Sequence, residues 1–218
     1  MKRNFLLNLN DWKIKSNRKP LIIRGARQVG KTYIVRELAR KSFQRSFIEI
    51  NLERNPELHQ IFEINFDIKR IVTEIQLITN TQIIPGKSLL FIDEIQECPK
   101  AILALRYFYE ELPGLHVIAA GSLLEFALKE ISFPVGRIEL IEMHPMTFFE
   151  FLQAINNENI VEFLKQAPAA IPETIHNNIK MHLKNYMFVG GMPECINTFK
   201  NNRDFNEVRD IQLNIINT

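Results

Sequence analysis

Between Gly25 and Thr32 the chain reads G-A-R-Q-V-G-K-T, two glycines separated by four residues and followed by a lysine and a hydroxyl side chain. Those residue types at that spacing suit the holding of a polyphosphate. Gly25 and Gly30 let a loop curl and turn successive backbone N–H groups inward, where side chains would obstruct the anion. Lys31 can place an ammonium on β- and γ-phosphate oxygens, and the Thr32 hydroxyl can bind Mg²⁺. A helix starting there adds its positive dipole end. Gly25, Ala26, Arg27, Gln28, Val29, Gly30, Lys31, Thr32 and Tyr33 are therefore the candidate nucleotide-binding residues.

A second cluster lies at Ser88–Glu94, S-L-L-F-I-D-E, an apolar run ending in two adjacent carboxylates. The run fits a central parallel strand, and open α/β sheets bind ligands beyond the carboxyl ends of their strands. Neighbouring side chains on a strand diverge, so the two acids divide the work. Asp93 suits the Mg²⁺ shell, and Glu94 can orient and polarise an attacking water. The same acids could instead cap a following helix. Many signalling GTPases lack the adjacent Glu and read guanine through N-K-x-D, which does not occur here, so adenine nucleotide is the expected ligand.

These groups need a sheet to position them. Hydrophobic runs predict strands near 21–24, 46–51, 88–92, 115–120 and 137–143, alternating with helices near 31–41, 67–79, 100–112 and 122–130. In the first of these helices Tyr33, Val35, Leu38 and Ala39 are expected to face the strand at 21–23. That is an α/β fold, a three-layer arrangement around a parallel five-stranded sheet, over residues 1–144. After Pro145 the pattern changes. Thr147 and Glu150 form a T-x-x-E capping box ahead of Phe148, Phe149 and Phe151, and helices are expected at 147–155, 158–166, 173–189 and 204–217. Residues 145–218 read as a small all-helical lid.

Of the 218 residues, 46% are apolar and 24% charged, enough for one full core and a small second one. Cys98 and Cys195 have no metal-ligand spacing and read as buried thiols of a reducing, cytoplasmic compartment. No apolar run of 18 residues exists, so no membrane partner is expected. The net charge of +2 hides an asymmetry, because residues 1–31 hold nine Lys or Arg against one acid, Asp11. Lys2, Arg3, Lys13, Lys15, Arg18 and Lys19 are not explained by a nucleotide site. They form either a solvated basic segment or a weak, non-specific nucleic-acid contact, with Phe5 and Trp12 anchoring the segment. His144, His176 and His182 show no metal-ligand spacing, and no serine or cysteine carries a nucleophile signature.

The loop, the D-E pair, Gly121-Ser122 and the helical tail resemble an AAA+ P-loop ATPase. More narrowly, D-E-I-Q at Asp93–Gln96, V-G-R at Val135–Arg137, P-M-T-F-F-E-F from Pro145 and G-G-M-P-E from Gly190 resemble a group of uncharacterised bacterial and archaeal ATPases that usually carry a further C-terminal domain. The resemblance implies a catalytic set of Glu94, Lys31, Ser122 and Arg137, with ATP and Mg²⁺ as cofactors and Thr32 and Asp93 on the metal. Ser122 would be a polar sensor of the γ-phosphate, although the same hydroxyl could cap helix 122–130. Arg137 would stabilise charge on the transferring phosphoryl group, in cis or in trans, although a structural salt bridge serves equally well. Gly191-Met192-Pro193 matches a G-x-P element that contacts nucleotide in related ATPases, and a helix stop after Val189 also explains it.

The apolar stripe Val208, Ile211, Ile215 and Ile216 is still running at Thr218, which predicts a helix cut in progress before an effector domain. The leading expectation is an ATPase whose hydrolysis moves a lid and an effector, with ATP and ADP as ligands, an unknown protein partner or missing C-terminal domain, and room for a homo-oligomer. A slow or inactive nucleotide switch or scaffold is the alternative. A phosphotransferase has less support, because no acceptor site is visible.

Overall fold

The structure, a computed structural model, describes residues 1–122, 136–166 and 169–217. It divides into two compact units, Phe5–Met143 and a second formed by Met1–Asn4 with His144–Thr218. The helix expected at 122–130 and Val135 fall outside the described residues.

The first unit is an all-parallel five-stranded sheet with helices on both faces, as expected. Its strands are β1 (Leu21–Arg24), β2 (Phe47–Asn51), β3 (Leu89–Asp93), β4 (His116–Gly121) and β5 (Glu139–Glu142), in spatial order β2-β3-β4-β1-β5. Its helices are α1 (Phe5–Ile14), α2 (Lys31–Ser42), α3 (His59–Glu63), α4 (Ile68–Thr79) and α5 (Pro99–Glu111). Strand alternation sorts the core. Ile22, Leu90, Ile92, Val117 and Ala119 pack on the side of α3, α4 and α5, while Leu21, Ile23, Leu89, Phe91, Ile118 and Ala120 pack with α1 and α2. Both faces of β3 and β4 are buried throughout, which is why those strands read as continuous apolar runs.

α2 differs from expectation in one detail. It buries Ile34, Val35, Leu38 and Ala39, whereas Tyr33 is half exposed and does not face the sheet. α1 and α3 were not foreseen. α1 has little amphipathic pattern and is held by Leu9 and Trp12, both buried with α2 and the sheet.

α1 and the loop after it also account for most of the basic segment. Lys13 Nζ donates to Ser42 Oγ at 2.9 Å, Lys15 pairs with Glu139 at 2.7 Å, and Arg18 donates to the carbonyls of Lys13 and Gly114 while lying 5.6 Å from the Trp12 ring. Trp12 Nε1 donates to the Lys19 carbonyl at 2.8 Å. These contacts tie the segment to the first unit from exposed and half-buried positions.

The second unit holds α6 (Phe148–Ala154), α7 (Glu158–Lys165), α8 (Glu173–Val189), α9 (Pro193–Asn202) and α10 (Phe205–Ile216), and α6, α8, α9 and α10 build a core that includes Met146, Phe151, Val189, Ile196 and Phe199. The capping box forms as the T-x-x-E spacing predicts, with the Thr147 side chain accepting from Glu150 N and the Glu150 carboxylate accepting from Thr147 N. The same carboxylate takes Arg3 at 3.2 Å and the Asn4 N–H at 2.8 Å, and both charged side chains are about 5% exposed or less. Arg3 also donates to the His144 carbonyl. The 204–217 stretch is helical from Phe205 to Ile216, and a helix the sequence reading missed, α9, precedes it. The helix stop expected after Val189 is present, with Gly190 at φ 73° as its C-cap, and Pro193 occupies the first turn of α9, where a missing N–H costs nothing. Gly191 is held tightly: its carbonyl accepts from Met146 N at 2.7 Å, and an added Cβ would collide with Pro145 and the Met146 backbone.

One buried titratable group in the first unit sets a pH dependence. His116, which opens β4, is enclosed edge-on by Trp12 and Phe43, with ring centroids 6.0 and 4.8 Å away. Burial, reinforced by the Arg18 charge, pushes its pKa from 6.5 down to about 4. Below pH 6.5 the unfolded chain takes up a proton that the folded chain refuses, so stability present above that pH is lost progressively toward pH 4, by on the order of 3 kcal/mol. Urea unfolding from pH 7 to 4.5 should show this loss, and His116→Phe should make the slope of stability against pH shallower by about one proton. Equal slopes in the two proteins would contradict the assignment.

Candidate functional site

The loop from Gly25 to Gly30 leaves the carboxyl end of β1 and enters α2 at Lys31. Its shape depends on backbone angles that side chains resist. Gly25 has φ 153°, with the Met143 carbonyl where a Cβ would stand, Gln28 has φ 61°, and Gly30 has φ 98° at the N-cap of α2. Ala26, Arg27 and Gln28 are exposed at the tip, and Val29 is fully buried as the loop's anchor.

Lys31 is only 6% exposed, and its Nζ donates to the carbonyls of Gly25 and Ala26, each at 2.8 Å. Burial lowers its pKa, while the carboxylates of Glu94 and then Asp93 pull it back up and Arg27 lowers it slightly. The ammonium thus waits inside the curl of the loop, held by neutral carbonyls that a phosphate would outcompete.

Asp93 ends β3. Its Oδ2 accepts from Thr32 Oγ1 at 3.0 Å and from Asn51 Nδ2 at 3.3 Å. Its Oδ1 is buried with no hydrogen-bond partner among the described residues. Burial pushes the Asp93 carboxyl above the ordinary range; the Thr32 hydrogen bond opposes this and the neighbouring Glu94 adds to it. A buried carboxylate with one satisfied and one open oxygen, bonded to a hydroxyl of the loop helix, fits a hard divalent cation. Among the described residues no group of three or more His, Cys, Asp or Glu could hold a metal, so such an ion would complete its shell with phosphate oxygens and water.

Glu94 leaves the strand in the left-handed region, with φ 51° and ψ 49°, and opens a 3₁₀ turn over Ile95–Glu97. For a residue with a Cβ this conformation is uncommon, and such outliers concentrate at working sites. The Glu94 Oε2 accepts from Gln96 Nε2 at 2.8 Å. Ser122 follows β4, the strand between β1 and β3, and its hydroxyl is buried without a hydrogen-bond partner among the described residues. The strand order therefore sets Ser122 between the loop on one side and Asp93 and Glu94 on the other.

Arg137 is not brought to the loop of its own chain. It precedes β5, and because Leu21 pairs with Glu139 and Arg24 with Glu142, it lies at the opposite end of the sheet, roughly 15 Å of strand from the loop. There its Nε pairs with Glu110 Oε1 at 3.2 Å and its guanidinium lies 5.9 Å from the Tyr109 ring centroid. Asn51 was missed by the sequence reading. Its contact with Asp93 depends on the β2–β3 register, which pairs exactly these strand-end positions and leaves no local signature.

Comparison with known proteins agrees with this geometry. Residues 17–152 match the family model described as AAA domain. The uncharacterised protein MJ1544 of Methanocaldococcus jannaschii is 27% identical over 174 residues, which is 79% of this chain and 35% of that protein, so the chain spans about a third of its relative's length. Among solved structures, the Walker-type ATPase PABY2304 of Pyrococcus abyssi is similar at a TM-score of 0.56 and 16% identity, covering 99% of this chain and 72% of that one. Drosophila ORC bound to DNA is similar at 0.50 and 13% identity, covering 96% and 66%. Both structural likenesses concern the fold. Since the matched segment takes in the phosphate loop, Asp93, Glu94 and Ser122, the chain belongs to the AAA domain family of P-loop ATPases.

Proposed function

We propose that the chain binds MgATP at the Gly25–Thr32 loop and hydrolyses it to ADP and phosphate. The observation that carries this reading is the convergence of Thr32, Asp93 and Ser122 at the carboxyl ends of β1, β3 and β4, with one Asp93 oxygen and the Ser122 hydroxyl left open among the described residues. In this reading Lys31 moves from the Gly25 and Ala26 carbonyls onto the β- and γ-phosphates, and the N–H groups opening α2 receive the remaining oxygens. Thr32 and Asp93 would hold Mg²⁺, which would supply positive charge against that of the phosphates. Glu94 accepts a hydrogen bond from the attacking water and draws off its proton as the new P–O bond forms and the bond from the γ-phosphorus to the bridging oxygen breaks, releasing ADP. Ser122 donates to the γ-phosphate and reports its loss.

Residues 145–218 act as a nucleotide-responsive lid, and the greater length of the archaeal relative supports a further effector segment in proteins of this kind. Arg137 serves its own fold through Glu110, and a role at a phosphoryl group would fall to a second copy of the chain in a homo-oligomer. Two free, buried cysteines, Cys98 and Cys195, support a reducing cytoplasmic setting. Nucleic-acid association stays weak and non-specific, because Lys13, Lys15 and Arg18 are engaged within the fold.

Lys31→Ala should raise the Kd for MgATP about 100-fold, since a charge-assisted phosphate contact is lost. Its Tm should hold or rise, because the substitution removes a desolvated ammonium; calorimetric binding equal to wild type would sink the loop assignment. Glu94→Gln should leave the Kd within about twofold while kcat falls by about 10²–10³. Equal steady-state phosphate release would remove Glu94 from the mechanism. Binding without turnover in the wild type would assign the chain to the nucleotide-switch class instead.

A further inference from the structure

Resting on the hydrolase reading above, the geometry points to Gln96 as the positioning residue that aims Glu94. Glu94 lies on neither strand nor helix: its left-handed backbone turns the chain out of β3, so its three-torsion side chain is not aimed by regular structure. The turn itself is fixed, with Glu97 N donating to the Glu94 carbonyl at 3.1 Å. Residues two apart do not face one another on a helix, but here the positive φ of Glu94 brings side chains 94 and 96 together.

The Gln96 amide nitrogen then forks onto two carboxylates, Glu94 Oε2 at 2.8 Å and Glu97 Oε1 at 3.2 Å. Both its hydrogens are used, and the amide plane is set by the pair. The opposite amide orientation would put a carbonyl oxygen against two carboxylates, so the network itself selects this one. The cost is visible: Gln96 Oε1 is buried with no hydrogen-bond partner among the described residues. On its other side Glu94 feels the Lys31 ammonium, whose strongest favourable electrostatic partner it is. The direct hydrogen bond that fixes the carboxylate is the one from Gln96.

A general base displaced by about 1 Å loses on the order of 100-fold in rate while ground-state binding is spared. Gln96→Ala should therefore lower kcat about 10–100-fold and leave the Kd for MgATP, measured by calorimetry, within about twofold. Affinity for MgADP with aluminium fluoride, a mimic of the transferring phosphoryl group, should fall by a similar factor, since the water it orders needs an aimed Glu94. In a Glu94→Gln background the same substitution should cost nothing further in kcat, because the group it aims is gone. Gln96→Glu, matched in size but lacking the amide donors, should reproduce the loss and covers the case in which the alanine variant fails to fold. Unchanged kcat in either folded variant, or an equal loss in the Glu94→Gln background, would overturn the proposal. A wild type without turnover overturns the hydrolase reading and this assignment together, and is recognised before any variant is compared.

Discussion

The buried ammonium of Lys31 is the constraint from which much of the first unit follows. A cation that is 6% exposed has to be solvated by the protein, and the Gly25 and Ala26 carbonyls do so at 2.8 Å. For those carbonyls to face the start of the next helix the loop must double back on itself. Hence the backbone at Gly25 passes against the Met143 carbonyl, and Gly30 turns into α2 with positive φ. A polar arrangement of this kind, in a medium of low dielectric, stays favourable only while every partner is in place. It also leaves a positive charge ready for a phosphate.

The sheet order completes what the loop begins. Placing β4 between β1 and β3 lines up three carboxyl ends, so a loop, a hydroxyl and two acids from segments far apart in the chain meet in one region. Strand alternation then gives each face its own helices and core, which makes the strands rigid supports for the groups at their ends. The second unit is built differently, around stacked and tilted aromatic rings, with Phe151 5.5 Å from Tyr186 and 6.0 Å from Phe199. Its first turn is tied by Glu150, which serves at once as capping partner to Thr147 and as counter-ion to the buried Arg3. Replacing either partner of that pair would strand a buried charge.

Much of this was legible in advance where the signal is local. The strand runs, the glycine-lysine-threonine loop, the acid pair and the T-x-x-E cap are each written within eight residues or fewer, and each recurs in the structure where its residues predict. Local signals failed where one residue type serves two ends of an element. The stop after Val189 was legible, but not that Pro193 beyond it opens a further helix, α9. Tyr33 has the apolar bulk to face a sheet, yet the helical angle that buries Lys31 and Ile34 turns it outward. For the basic residues near the start the sequence showed the charge but not the partners, since it cannot show that Lys15 meets Glu139 or that Arg3 meets Glu150.

By itself, then, the amino-acid sequence determined which chemistry the chain is equipped for and the class of fold that carries it. Loop conformation, strand burial and helix capping all depend on near neighbours, and near neighbours are what a sequence displays. Only the tertiary structure decided which distant groups share a site. Asn51 reaches Asp93 through strand register, Ser122 lies beside the loop through strand order, and Arg137 is carried to the far end of the sheet because β1 and β5 run parallel. Those outcomes rest on pairings between segments far apart in the chain, such as Leu21 with Glu139, which depend on how the chain as a whole closes around its cores.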